Sequence, residues 1–214
     1  TSRTRPPWYP PFYYHWFLAT GFCMSSEEKN FVRQQAKRHR DQLEIDVSWS
    51  DSAAEVFFQS IQIKEAAVVA SYYPLGKEID PSPIVQELWK RNITLCLPVT
   101  PQRDEDRALK FAKWMPQSGL IPSQFGVLEP AEKEWVDPDI LIVPLLAFDQ
   151  RGYRIGYGKG HYDETLAQLR AKKDILAVGL AYAEQAVLLA LPTEPHDQRL
   201  DMVVTPQRIF DFRR

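Results

Sequence analysis

The stretch "DILIVPLLAFDQRGYRIGYGKGHYDETLAQLRAKK", Asp139 to Lys173, changes its hydrophobic period halfway along. It opens on an unbroken apolar run with the length and β-branched content of a buried strand. It closes on a segment in which Tyr162, Leu166 and Leu169 recur at four- and three-residue spacing, as on the apolar face of a helix. Between the two, four of the chain's nine glycines fall within Gly152–Gly160. A strand that passes through a glycine loop into a helix is the repeating unit of a parallel α/β sheet. In such sheets ligands bind at the carboxyl ends of the strands.

The same alternation extends outward in both directions. Ser25 to Glu28 has the S-x-x-E spacing of a capping box and predicts a helix from about Ser26 to Leu43. A second such spacing, Ser52 to Glu55, predicts a helix over "AAEVFFQSIQI". "AAVVASYY" reads as a buried strand, "SPIVQELWKRN" as a helix with Pro83 in its first turn, and "ITLCLPV" as a strand. The region from Pro101 to Trp135 is less regular, with short segments around "LKFAKW" and "QFGVLEP". "DILIVPLLAFD" reads as strand, "HYDETLAQLRAKK" as helix, "ILAVGLAY" as strand, "EQAVLLAL" as helix and "LDMVVTP" as strand. This order predicts an α/β fold: a mostly parallel central sheet with helices on both faces.

Composition narrows the function class. A chain of 214 residues with 44% hydrophobic residues supports a sizeable core, and 26 basic against 28 acidic residues leave a net charge of -2. That balance does not suggest a nucleic-acid partner. Cys23 and Cys96 are far apart in the chain and form no disulfide or zinc spacing, and His15, His39, His161 and His196 are equally scattered, so a reducing, cytoplasmic setting is expected. Residues 1–24 are rich in proline and aromatics and read as an irregular N-terminal extension ahead of a domain over 25–214. The apolar run Phe12 to Cys23 is too short to span a membrane, which takes about 20 apolar residues.

The glycine loop suggests phosphate. N–H groups left free at a helix start carry partial positive charge, and glycines let an anion approach the backbone closely. Two familiar phosphate templates do not fit. A GxxxxGK[ST] loop would need Ser or Thr where Gly160 stands, and GxGxxG is replaced by the GxGxG of Gly156, Gly158 and Gly160. A plain glycine-rich turn, with Lys159 as a solvated charge, also satisfies the spacing.

"VPLLAFDQRGYRIGYGKGHYD" resembles the signature of the 5-formyltetrahydrofolate cyclo-ligase family, also called methenyltetrahydrofolate synthetase. So do, in order, "KNFVR" at Lys29–Arg33, "GKEID" at Gly76–Asp80, "FGVLEP" at Phe125–Pro130 and "HDQRLDMVVTP" at His196–Pro206. His161 departs from the pattern, standing where the family usually has Tyr or Phe. The expected architecture is then Rossmann-like, akin to sugar-phosphate isomerases, in three layers. The resemblance implies ATP- and Mg²⁺-dependent closure of 5-formyltetrahydrofolate to 5,10-methenyltetrahydrofolate by a monomer, with that small molecule as partner and neither nucleic acid nor membrane involved. A noncatalytic folate- or RNA-binding relative, or a phosphate-binding sugar-phosphate isomerase, is the alternative.

Site residues follow from the same resemblance. Lys29, Arg33, Arg154, Gly156, Tyr157, Gly158, Lys159, Gly160, His161 and Tyr162 are expected around ATP, with Lys159, Arg154 and Tyr162 closest to the chemistry. Tyr73, Glu78, Tyr157 and Tyr162 are expected around the folate. Asp163 and Asp197 are the metal candidates, although a carboxylate in a first helical turn is favourable on its own account. Lys37 continues the i, i+4, i+8 face of Lys29 and Arg33 but has no counterpart in the motif and reads as solvated.

Overall fold

The structure, a computed structural model, describes residues 26–101, 106–123 and 126–213. The expected N-terminal extension, Ser25 of the first capping box and Phe125 of "FGVLEP" lie outside these residues.

A mostly parallel sheet of seven strands forms the centre. In chain order its strands are β1 (Val68–Ala70), β2 (Thr94–Val99), β3 (Lys110–Trp114), β6 (Ile140–Pro144), β9 (Leu176–Leu180), β11 (Met202–Val204) and β12 (Ile209–Asp211). Across the sheet they run β12-β11-β9-β6-β1-β2-β3, and the two edge strands are antiparallel to their neighbours. The five inner strands are parallel, as the continuous apolar runs predict. Two small sheets complete the strands: a pair, β4 (Leu120–Pro122) with β5 (Leu128–Pro130), and a three-stranded sheet in which β7 (Ala147–Asp149) is flanked by β8 (Arg154–Ile155) and β10 (Ala186–Val187).

Alternation along the inner strands divides the core. Val69, Leu95, Ile140, Ile142, Val178, Met202 and Val204 pack with Phe57 of α2 (Trp49–Ser60) and with Ile84, Val85 and Leu88 of α3 (Ser82–Lys90). Their neighbours Ala70, Cys96, Leu141, Val143, Ala177 and Val203 pack with Leu166 and Leu169 of α4 (His161–Arg170). Full burial of a side chain such as Leu166 stabilises by about 1.5–3 kcal/mol, and truncation to Ala costs about 2–5 kcal/mol. The first helix, α1 (Ser26–Gln42), packs elsewhere: Val32 and Ala36 cover Leu146, Ala147, Ile155 and Leu191 around the small sheet. Among the described residues no helix is long and apolar enough to cross a membrane.

Three expectations about elements are corrected. Helix α2 begins one turn before Ser52, because Ser48 turns the chain onto Asp46 through bonds from its N–H and its hydroxyl to the carboxylate, at 2.8 and 2.7 Å. "DILIVPLLAFD" is two strands in two sheets. The break after Pro144 is held by the buried Gln185, whose amide donates to the carbonyls of Leu145 and Leu146. "EQAVLLAL" is a short 3-10 turn, Ala183–Gln185, followed by β10, which lies parallel to β7. The Asp149 carboxylate accepts the N–H of Leu191 at 3.0 Å, so this backbone is satisfied along β7 and not within a helix.

Candidate functional site

The glycine loop leaves the small sheet at Ile155 and enters α4 through Gly160, whose left-handed backbone (φ 72°) turns the chain into the helix. The first intrahelical bond is Glu164 N–H to the Gly160 carbonyl, so the N–H groups ahead of it have no carbonyl to reach within α4. The four glycines serve different purposes. A side chain at Gly152 would stand 2.9 Å from the Leu200 carbonyl and from the Phe212 ring. At Gly158, which has φ +92°, it would stand 2.8 Å from Cζ of Arg33. Gly156 differs, since a side chain there would meet no protein atom within 4 Å and its φ lies outside the left-handed range. The protein's own packing accounts for Gly152 and Gly158, but it gives no reason for Gly156.

Helix α1 delivers cations to this loop. Arg33 Nε donates to the Gly156 carbonyl at 2.9 Å and Nη1 donates to Asn30, so this guanidinium braces the loop from behind. Lys29 Nζ lies 2.7 Å from Glu194 Oε2 and 2.7 Å from Asp197 Oδ2, with its side chain only 12% exposed. Burial opposes the ammonium charge, but the hydrogen bonds to Asp197 and then Glu194 outweigh it and raise the lysine pKa. Lys37 is exposed beside Asp41, as expected of a solvated residue.

The acidic residues are tied to the same loops. Asp163, in the first turn of α4, accepts from Arg154 Nη2 and from the Gln198 N–H on the same oxygen, both at 2.9 Å. Arg154 is nearly buried and also donates to the Gln198 carbonyl at 2.7 Å, so its planar fork spans the loop and the 197–198 turn. Asp197 lies in a different group: ligand atoms of Glu194, His196 and Asp197 fall within 4.8 Å of one another, and Asp163 is not among them. Both metal candidates therefore flank Gln198, Asp197 as its chain neighbour and Asp163 as acceptor of its N–H. His161 Nδ1 sits 2.7 Å from the Arg107 carbonyl, which ties the start of α4 to that segment. Lys159 is exposed on the loop.

Around Glu78 the structure brings together more than the motif residues. The carboxylate is buried, and Oε2 accepts the Leu75 N–H at 2.8 Å. Burial raises its pKa, and the Leu75 N–H, the Arg40 charge and contact with the Tyr157 hydroxyl only partly offset this. Tyr162 lies against the apolar cluster under α4, and burial, reinforced by the charge of Glu78, raises its phenol pKa. Tyr73 is 38% exposed, whereas Tyr72 turns inward and donates to the Ile79 carbonyl. Tyr182, stacked at an angle on Trp49, has its phenol pushed up to about 12 by burial.

Arg40 is the residue that the motif comparison passes over. It is 2% exposed, Nη2 donates to the Tyr157 hydroxyl at 2.6 Å, and Nη1 stands 3.7 Å from Glu78 Oε1. The available signal was spacing: Arg40 is seven residues beyond Arg33, close to two full turns, so it shares the inward stripe that Lys37 leaves. Two open grooves of about 760 Å³ each lie elsewhere, against Asp106, Lys110 and Trp135, and no residue from the glycine loop or the Glu78 turn lines them.

Comparison with known proteins identifies the family. The family described as 5-formyltetrahydrofolate cyclo-ligase matches residues 25–206. The 5-formyltetrahydrofolate cyclo-ligase of Haemophilus influenzae is 32% identical over 181 residues, 81% of this chain and 95% of that protein. The Escherichia coli K12 protein of the same name is 35% identical over 152 residues, 69% of this chain and 82% of that protein. Among solved structures, the NMR structure of Aquifex aeolicus 5,10-methenyltetrahydrofolate synthetase superposes with a TM-score of 0.71 at 30% identity, covering 87% of this chain and 93% of that one. With the family motifs, the mixed α/β fold and these relatives in agreement, the chain belongs to the 5-formyltetrahydrofolate cyclo-ligase family.

Proposed function

We infer that the chain closes 5-formyltetrahydrofolate to 5,10-methenyltetrahydrofolate, the reaction its family is named for, and we propose that ATP drives it with Mg²⁺. The formyl oxygen is a poor leaving group. Its phosphorylation by ATP, with release of ADP, makes the formyl carbon open to attack by N10, and phosphate then departs with that oxygen. Such chemistry asks the protein for position and charge and needs no nucleophile of its own.

One observation carries this reading: Arg33 of α1 holds the carbonyl of a glycine, Gly156, whose missing side chain serves no contact within the protein. A triphosphate laid against Gly156 and the start of α4 would meet the N–H groups that point out of the helix start, with Arg154 and Lys159 on the loop. Lys29 and Arg33 supply further charge from behind it. Asp163 and Asp197, on either side of Gln198, would each give a carboxylate oxygen to Mg²⁺, Asp197 in exchange for Lys29, and the ion would supply neutralisation of the triphosphate oxygens. Glu78 would accept an N–H of the pterin, with Tyr157, Tyr162 and the exposed Tyr73 as its walls. The same reading takes 25–214 as one cytoplasmic, monomeric domain with a Rossmann-like, three-layer fold, which the parallel inner strands support.

The test is the methenyl-folate absorbance of purified protein given 5-formyltetrahydrofolate and Mg²⁺, with and without ATP. A rise that depends on ATP is expected. Folate binding without any rise would replace the enzyme by a noncatalytic relative.

A further inference from the structure

We propose that Arg40 is a positioning residue that joins the two ligand subsites, holding the Tyr157 hydroxyl of the glycine loop while its charge faces the Glu78 carboxylate. The inference rests on Glu78 being the folate-facing carboxylate.

Geometry separates the two contacts. Nη2 makes a short hydrogen bond to Tyr157, but 3.7 Å from Nη1 to Glu78 Oε1 is beyond hydrogen-bond range. Arg40 therefore gives Glu78 a counter-charge without using the acceptor capacity of Oε1, and the other oxygen is already committed to Leu75. A guanidinium placed for packing or stability would have its donors satisfied, yet Nε and Nη1 of Arg40 are buried with no hydrogen-bond partner. An arrangement this costly is understandable if its purpose is to hold the Tyr157 hydroxyl against a charged Glu78 carboxylate, the hydroxyl accepting from Arg40 on its other side. It also ties the loop to the Glu78 turn through α1.

Other groups face this pocket. Tyr72 at the end of β1, Tyr162 on α4, Tyr182 after β9 and Asp80 beside Glu78 act on one another's charge, and Asp41 of α1 lies 3.9 Å from Arg40 Nη2. Among them only Arg40 is a cation that acts on Glu78.

The experiment follows the Glu78 carboxyl by ¹³C NMR in ligand-free protein labelled at glutamate Cδ, the signal being assigned by its loss in Glu78→Gln. In Arg40→Met the titration midpoint shifts to higher pH, because a favourable charge has gone; in Arg40→Lys it stays near the wild type. In Arg40→Met, binding of 5-formyltetrahydrofolate near pH 7 weakens about tenfold and recovers as pH rises. Superimposable Glu78 titrations in folded wild type and Arg40→Met overturn the proposal. If Arg40→Met does not fold, Arg40→Gln, which keeps a polar side chain without the charge, replaces it, and the midpoint is again expected to rise. A shifted midpoint with folate binding unaffected by either Arg40→Met or Glu78→Gln supports the Arg40 link and overturns the assignment of Glu78 to folate.

Discussion

The guanidinium of Arg33 occupies the space that any side chain at Gly158 would need, Cζ standing 2.8 Å from the position of a Cβ. A residue on α1 and a residue more than a hundred positions later thus fix each other, and Arg33 further holds the Gly156 carbonyl. Gly158→Ala must displace Arg33 and also adopt φ +92°, a strain of about 1–3 kcal/mol. The urea midpoint of the variant is expected to fall, with a raised KM for ATP.

Gly156→Ala provides the contrast. With no protein atom to meet, its stability is expected to stay within about 0.5 kcal/mol of the wild type. The KM for ATP should nonetheless rise, because the added methyl would stand where the triphosphate lies. An unchanged KM would remove Gly156 from the phosphate cradle.

Lys29→Met leaves Glu194 and Asp197 facing one another without their cation. A lysine whose folded pKa is raised adds stability at pH below its ordinary 10.5, and loses it as pH climbs through the folded value. Thermal melts of the wild type should therefore show an alkaline loss that Lys29→Met lacks. Steady-state kinetics should give the variant a higher KM for ATP.

Asp163→Asn keeps the shape of the side chain but removes the charge that pairs with Arg154. Activity at limiting Mg²⁺ is expected to fall at least about tenfold, with partial rescue at high Mg²⁺. Circular dichroism checks that the fold persists. Equal activity at every Mg²⁺ concentration would leave Asp163 only its bonds to Arg154 and Gln198.

Glu78 has a folded pKa above its ordinary value near 4.5, chiefly through burial. Its contribution to stability is therefore fully present below that value and is lost as pH rises through the folded pKa. Urea unfolding between pH 4 and pH 8 should show this loss in the wild type but not in Glu78→Gln. The variant should also lose folate affinity.

Elements whose signal is local were legible in the residues. The inner strands are apolar runs, α3 and α4 carry their apolar faces at helical spacing, and both predictions hold. "EQAVLLAL" misled because its apolar spacing suits a helix, while the determining partners, Asp149 and the carbonyls of Leu145 and Leu146, lie about 40 positions earlier. The Ser52–Glu55 box misled for a nearer reason: the turn at Asp46 and Ser48 starts the helix before the box is reached.

The sequence by itself determined the α/β order of elements, the glycine loop ahead of α4 and the family to which the motifs belong. Hydrophobic period and turn residues act over a few neighbours and are visible in a string. Only the tertiary structure decided which charges meet: Arg40 and not Lys37 at the loop, Lys29 on Glu194 and Asp197, and Arg154 on Asp163. The Lys29 partners and Tyr157, which accepts from Arg40, lie 117 to 168 positions away, and Asp163 lies across the glycine loop from Arg154. Pairing across such separations depends on how α1 lies across the small sheet, a placement set by Val32 and Ala36 on their apolar cluster, and no local pattern of charges encodes it.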